Sequence, residues 1–332
     1  MLIAVDAHGG DYAPREIIKG AIEAAEDYKL DIALVGRKSV LGMLLRSQGK
    51  KSNLTVINAS QIIEHDEPPI EAVQSKPDSS VVVGTRLVKE GIASAFVSAG
   101  STGAVVVAAF LNLGLVEGIQ RAPVCVVVRV DPANPFLLVD IGVNVDCRPS
   151  FLVQFGQLAT VLARGILSIS SPRVALLNNG EEEIKGNVLA RDAHQLFRKS
   201  DLNFIGNIEP QEILDGKADV VVTDGFTGNI VIKTIEACAN TFESLVGAGQ
   251  ASRVDSQLTG RALVNYVEMT SKVKRLDFRE YGGGFLLGVN GNVVIAHGRS
   301  RAKAIKSAIH LAHQVDRLGV VETIKNGQFV ST

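Results

Sequence analysis

Short runs of apolar, often β-branched residues recur along the chain, and between them the apolar positions change from a period of two to one near 3.6. That pattern predicts strands at 2–5, 32–35, 54–57, 93–97, 124–130, 137–139, 174–177, 203–205 and 220–223. It predicts helices at 14–28, 79–90, 103–113, 151–167, 187–198, 229–246 and 301–317. Two further runs, 285–289 and 293–296, are separated by Asn290-Gly291-Asn292 and predict a hairpin. Alternating strands and helices imply parallel strands joined by crossover helices, an α/β fold. Five strands run straight into polar, glycine-bearing loops: AVDAHGGDYAP, VSAGSTG, VDIGVNVDCRP, LLNNGEEEIKGN and VTDGFTGN. In an open parallel sheet such loops gather at the carboxyl edge, so they are expected to converge there.

Composition narrows the classes. At 332 residues the chain exceeds a usual single core, so one large domain or two intimately joined ones are expected. The 46% hydrophobic and 21% charged content is that of an ordered globular protein. With 34 basic and 35 acidic side chains, no global field favours nucleic acid, and any anion site must be local. Cys125, Cys147 and Cys238 are odd in number and lack CxxC spacing, which argues against a disulfide framework or zinc site and suits a reducing cytosol. The opening MLIAVDAHGGD has no basic leader, and the longest apolar run, 104–116, falls short of the roughly 18 residues of a membrane span. A soluble protein is expected.

The stretch SAGSTG hands a strand over to an apolar helix through glycines and hydroxyls. A helix starting there presents unpaired backbone N–H groups and the positive end of its dipole, and Gly100 and Gly103 allow an anion to approach. Ser98, Ser101 and Thr102 add hydroxyl donors, a combination suited to phosphate. The plainer alternative is that Ser101 or Thr102 only caps the helix. DGFTGNIVIKT repeats the design, with Thr227 and Asn229 as caps or oxyanion donors and Lys233 one turn further on. Neither stretch is a Walker A loop or a GxGxxG fingerprint. The same loops carry Asp6, Asp11, Asp140, Asp146, Glu181, Glu182, Glu183 and Asp224, whose carboxylates repel phosphate unless cations offset them. Lys185 is the preferred positive group, against the alternative of a surface lysine paired with those glutamates. No spacing is diagnostic of a metal site; magnesium held by the carboxylates stays possible, and no cofactor is otherwise expected. His8 reads as incidental, and Cys147 has acidic neighbours that would raise its pKa, against a nucleophile.

Taken together, DAHGGDYAP, KPDSSVVVG, VSAGSTGA, DIGVNVDCRP, LLNNGEEEIKGN, NFIGNIEPQEILDGKADVVVTDGFTGNIVIKT and LLGVNGNVVIAHGRSRAKAIKSAI resemble, in order and over nearly the whole chain, the PlsX family of phosphate acyltransferases. The resemblance implies transfer of a fatty acyl group from acyl carrier protein to inorganic phosphate, giving acyl phosphate for phospholipid synthesis. It also implies a homodimeric three-layer α/β/α fold with a mostly parallel sheet, related to phosphotransacetylases and isocitrate dehydrogenase-like enzymes, in a cytoplasmic enzyme that touches the membrane peripherally. Carried over residue by residue are Asn144, Asp146, Lys185, Gly186, Asn187, Asp224, Thr227, Gly228 and Asn229. Lys185, Asn229 and Asp224 are the expected catalytic groups. Ser98, Gly100, Ser101, Thr102, Gly103, Asn144, Asp146, Gly186, Asn187, Thr227 and Gly228 are expected to hold phosphate or substrate, with Asp6, Gly9, Gly10 and Asp11 as possible loop contacts. The chain departs from the common family pattern at His8, Ser101, Val143 and Gly284-Phe285.

The expected domain is single, 1–332, with a helical excursion at 247–281. Within it LTGRALVNYVEMTSKVKRL places apolar residues among Arg261, Lys272, Lys274 and Arg275, suited to anionic lipid or an acidic carrier protein, against the alternative of a helical excursion packed on a dimer partner. Two other readings compete. One is an NAD-dependent dehydrogenase of isocitrate dehydrogenase-like architecture, which lacks a recognisable dinucleotide fingerprint; the other is a non-catalytic anion- or lipid-binding protein.

Overall fold

A computed structural model describes residues 1–47, 53–129, 134–251 and 282–327. Its strands are β1 (Leu2–Asp6), β2 (Asp31–Gly36), β3 (Leu54–Asn58), β4 (Ala95–Ser98), β5 (Val124–Val128), β6 (Phe136–Val139), β7 (Val174–Leu177), β8 (Phe204–Ile208), β9 (Val220–Val222), β10 (Gly284–Leu286) and β11 (Asn292–Ile295). They form one eleven-stranded sheet in the order β3-β2-β1-β4-β11-β10-β5-β6-β9-β7-β8. The central strands, such as VCVVV and FLLV, are buried on both faces, which explains why they read as unbroken apolar runs.

The sheet is mostly parallel, as expected, but its two parallel groups point opposite ways. β1, β2, β3, β4 and β11 run together, and so do β6, β7, β8 and β9. Between them β10 is antiparallel to both β11 and β5, and β5 is antiparallel to β6, so direction reverses across the centre. The expected convergence of five loops on one edge is therefore corrected. The loops after β1 and β4 leave one edge; those after β6, β7 and β9 leave the other.

Helices α1 (Arg15–Tyr28), α2 (Lys38–Ser47), α3 (Pro69–Ser75), α4 (Ser80–Lys89), α5 (Thr102–Asn112), α6 (Pro149–Ile166), α7 (Val188–Phe197), α8 (Gly225–Ala251), α9 (Ala302–Arg317) and α10 (Val320–Lys325) complete the chain order. One face of the sheet packs against α1, α6 and α9 in a continuous core that includes Cys125 and Val127 of β5. The alternating residues of the same strand face the other way: Val124 joins a cluster with Ala104, Val105 and Ala108 of α5, and Val126 one with Ile232 of α8. Three layers result, and on the second face α5 and α8 flank the antiparallel centre, entering from opposite edges. The predicted hairpin is found as β10 and β11, joined through residues 287–291. Val130 and most of the excursion, 252–281, lie outside the described residues; within 247–251 the chain still belongs to α8.

Candidate functional site

The gap between α5 and α8 is a cavity of about 400 Å³. Gly100, Ser101, Thr102 and Gly103 line it from the α5 turn, and Asn229, Ile232, Lys233 and Glu236 line it from α8. These α8 residues recur at i, i+3, i+4 and i+7, a single helical face. Val124, Val126 and Ile295 of the sheet, with Ile141 and Val143, make much of the remainder apolar, and His65 and His297 are among its polar lining residues.

A scaffold of buried acids holds the α5 turn. Asp6, fully buried, accepts the His8 and Gly9 N–H groups at 3.0 Å each and the Ser98 hydroxyl at 2.7 Å. Ser98 Oγ in turn accepts the Gly100 N–H at 3.0 Å. Ser98 is thus committed to Asp6, and no hydroxyl of it reaches the cavity, contrary to its expected contact with phosphate. Asp6, Gly9, Gly10 and Asp11 do not line the cavity, although Asp11 Oδ1 stands 3.9 Å from Nε2 of its lining residue His65. A Cβ on Gly9 would stand 2.6 Å from the Gly100 nitrogen, so the β1 and β4 loops pack backbone to backbone only because that residue is glycine. His8 Nε2 accepts the Arg37 N–H, and burial lowers its pKa, so it serves as a neutral acceptor.

The two turns that look alike in sequence differ in their caps. Ser101, at the N-cap of α5, makes no side-chain capping bond, so the first turn of that helix faces the cavity without an internal acceptor from its cap. The α8 turn carries its own anion: Asp224 Oδ1 accepts the Thr227 N–H at 2.9 Å and Oδ2 accepts its hydroxyl at 2.8 Å. A carboxylate already neutralises that dipole end. Thr227 and Asn229, two residues apart on a helix, also face different ways. Thr227 and Asp224 line a second cleft of about 410 Å³ with Asn178, Gly186 and Asn187, whereas Asn229 lines the first cavity.

The expected site residues are therefore divided. Asn187 caps α7 through the Ala190 N–H, and Lys185 stands 3.9 Å from Glu182, outside the lining of the first cavity. Asn144 is occupied by the buried Asp140, which accepts its N–H at 2.6 Å and its side-chain amide at 2.9 Å. Burial raises the Asp140 pKa, against hydrogen bonds from Asn144, Val124 and Val143 that lower it. Gly228 packs on the Asp140 carbonyl, and Asp146 is exposed. Burial and then Asp140 and Asp224 push the Cys147 thiol up to about 12. The anticipated repulsion of phosphate by the acidic loops has a structural answer. None of Asp6, Asp11, Asp140, Asp146, Glu181, Glu182, Glu183 and Asp224 lines the first cavity. Glu181 pairs with Lys217 and Glu183 with Arg198. Among the described residues no three His, Cys, Asp or Glu side chains are grouped to hold a metal ion. His65, Glu236 and His297 are cavity residues that sequence reasoning missed; His65 and Glu236 lie outside the quoted motifs, and His297, although inside the motif VIAHGRS, carries no local sign that it meets α8, so only the packing of α8 and the β11 exit reveals them.

A family model described as fatty acid synthesis protein matches residues 1–323. A phosphate acyltransferase of Dehalococcoides mccartyi is 48% identical over 324 residues, covering 98% of this chain and 93% of that one. One of Heliobacterium modesticaldum is 46% identical, covering 95% and 93%. Among solved structures, a phosphotransacetylase from Streptococcus pyogenes superposes with a TM-score of 0.62 at 19% identity, covering 95% and 94%. A 4-hydroxythreonine-4-phosphate dehydrogenase from Klebsiella pneumoniae gives 0.53 at 13%, covering 95% and 99%; at such identities both speak to fold alone.

Proposed function

The chain belongs to the fatty acid synthesis protein family, within which its relatives are phosphate acyltransferases, and from that premise we propose that it moves an acyl group from a thioester to inorganic phosphate in the first cavity. One observation carries the reading: the first turn of α5, uncapped by its Ser101 side chain, lines the same cavity as Asn229 and Lys233 of α8 and a set of apolar side chains. Phosphate binds at Gly100–Gly103, where glycine and the helix dipole favour an anion, and the Lys233 ammonium offsets its charge. The acyl chain lies along Val124, Val126, Ile141 and Ile232. Asn229 donates to the oxyanion that develops on the thioester carbonyl. Phosphate is a nucleophile without further activation, so the step needs alignment and charge stabilisation rather than a covalent enzyme intermediate.

The donor is acylated acyl carrier protein, and the product feeds phospholipid synthesis, as the sequence motifs imply. The second cleft, lined by Gly186, Asn187, Asp224 and Thr227 and next in sequence to Lys185, receives the polar part of that donor; exposed Ile184, Lys185 and Val188 favour such a role. Asn144 and Gly228, both held against Asp140, have a supporting role, and the exposed Asp146 is left to meet the donor from solvent. A homodimer in the cytoplasm, touching membrane through 247–281, completes the proposal. No helix among the described residues is long and apolar enough to cross a membrane, and the lipid contact is supported by the basic amphipathic sequence alone.

Incubation with a palmitoyl carrier protein should release free carrier and form palmitoyl phosphate, detected by mass spectrometry, only when phosphate is present. Release without phosphate, or an NADH absorbance change instead, would reject the reading. The division of roles has its own test in steady-state kinetics. Lys233→Ala should raise KM for phosphate about tenfold, and Lys185→Ala should lower turnover at least about tenfold with that KM unchanged. The reverse assignment would return Lys185 to the phosphate.

A further inference from the structure

We propose that Glu236 is the proton donor to the departing sulfur and that His297 positions it, an inference that rests on the acyl-transfer reading above. The chemistry requires such a group. A thiol has an ordinary pKa of about 8.5, and a phosphoryl group loses its second proton near 6, so phosphate is the weaker base of the two. A tetrahedral intermediate holding both expels phosphate again unless the sulfur is protonated as it leaves. In the forward step a phosphate oxygen forms the new O–C bond and the C–S bond breaks. Its electron pair goes to sulfur, which takes the Glu236 proton and departs as thiol; solvent restores the proton.

Glu236 is the sole carboxylate lining the cavity among the described residues, on the same face of α8 as Asn229 and Lys233. Its side chain is 18% exposed against 40% for His297, and its Oε2 lies 3.8 Å from His297 Nε2. Nδ1 of His297 accepts the Arg299 N–H at 3.1 Å, which keeps that nitrogen unprotonated and the ring proton on Nε2, toward Glu236. The ring so fixed holds the carboxyl in place beside it. Burial raises the Glu236 pKa, opposed by His297, Lys233 and Arg299, the charged or titratable groups around it; His65 is the other titratable side chain of the cavity. An acid needs that upward shift to hold its proton near neutral pH.

The test compares one acyl group on pantetheine and on an arylthiol, whose sulfur leaves readily without a proton. Wild type must first form acyl phosphate from the pantetheine ester; if it does not, the functional reading itself fails. Given that activity, Glu236→Gln should lower kcat about 100-fold on the pantetheine ester and less than about fivefold on the aryl ester. Equal losses on both donors, or none, would overturn the proposal. Should wild type not turn over the aryl ester, the pH profile of kcat on pantetheine decides. The wild-type fall at rising pH should vanish in Glu236→Gln and move, without vanishing, in His297→Asn. An unchanged profile in Glu236→Gln overturns the assignment, and circular dichroism of each variant separates these results from unfolding.

Discussion

Replacing Ser101 by aspartate is expected to lower kcat/KM for phosphate more than about 100-fold while leaving the protein as stable as before. Aspartate caps helices as well as serine does, and Ser101 makes no capping bond to lose. An acid at the N-terminus of α5 interacts favourably with the dipole by about 0.3–1 kcal/mol, so the unfolding midpoint should hold or rise. The same carboxylate occupies the place assigned to phosphate and repels a second anion in a half-enclosed cavity. A 100-fold loss corresponds to about 2.7 kcal/mol, modest for like charges in contact away from bulk water. Ser101→Asn, polar but uncharged, should keep activity within a few-fold. Urea unfolding and phosphate-dependent kinetics on the three proteins separate the two roles of the turn. An active Ser101→Asp enzyme would reduce this turn to an ordinary helix start and move phosphate elsewhere.

Gly228→Ala should give the largest loss of stability of any single methyl addition in the two phosphate-type turns. A Cβ built at Gly228 falls 1.9 Å from the Asp140 carbonyl oxygen and 3.0 Å from its carbon. Those atoms are backbone, tied by the Asp140 N–H to the Thr223 carbonyl at 3.0 Å, so no side-chain rotation relieves the overlap. The first turn of α8 must lift off the β6 exit, taking Asn229 away from the first cavity and Asp224 from the second. Overpacking of this kind costs about 3 kcal/mol or more, a lowered urea midpoint with activity lost in parallel. Gly42→Ala, where an added Cβ meets nothing within 4 Å inside α2, is the control expected to be neutral or slightly stabilising. A Gly228→Ala protein of normal stability would show that the α8 turn adapts more readily than its packing implies.

Particular residues show how far sequence pattern reaches. The strands were legible because buried strands of an α/β sheet are apolar on both faces, and α5 and α6 because long apolar helices bounded by Gly, Pro or Ser announce themselves. Helices α2, α3 and α10 were missed: α3 and α10 are short, α3 begins Pro69 after Pro68, a signal that reads equally as a turn, and α2, as long as α4, has no acidic residue in its first turn to mark its start. The start of α8 was placed at Asn229 instead of Gly225, because glycine and threonine obscure a helix whose true cap is Asp224.

By itself the sequence determined the α/β class, the order of the strands and of the longer apolar helices, the family, and that Gly100–Gly103 and Asn229 stand in glycine-bearing turns at strand-to-helix junctions. These are local properties, written in periodicity, glycine placement and long ordered motifs. Only tertiary structure decided which turns meet. Antiparallel pairing of β10 with β11 and β5 reverses the sheet's direction, so loops with the same sequence logic leave opposite edges. Tertiary packing also decided that Asp224 fills its own helix end while Ser101 leaves its helix end open, and that Glu236 and His297, 61 residues apart in a chain of 332, share one cavity. Strand direction and helix rotation are fixed by contacts between distant segments, which no local pattern encodes.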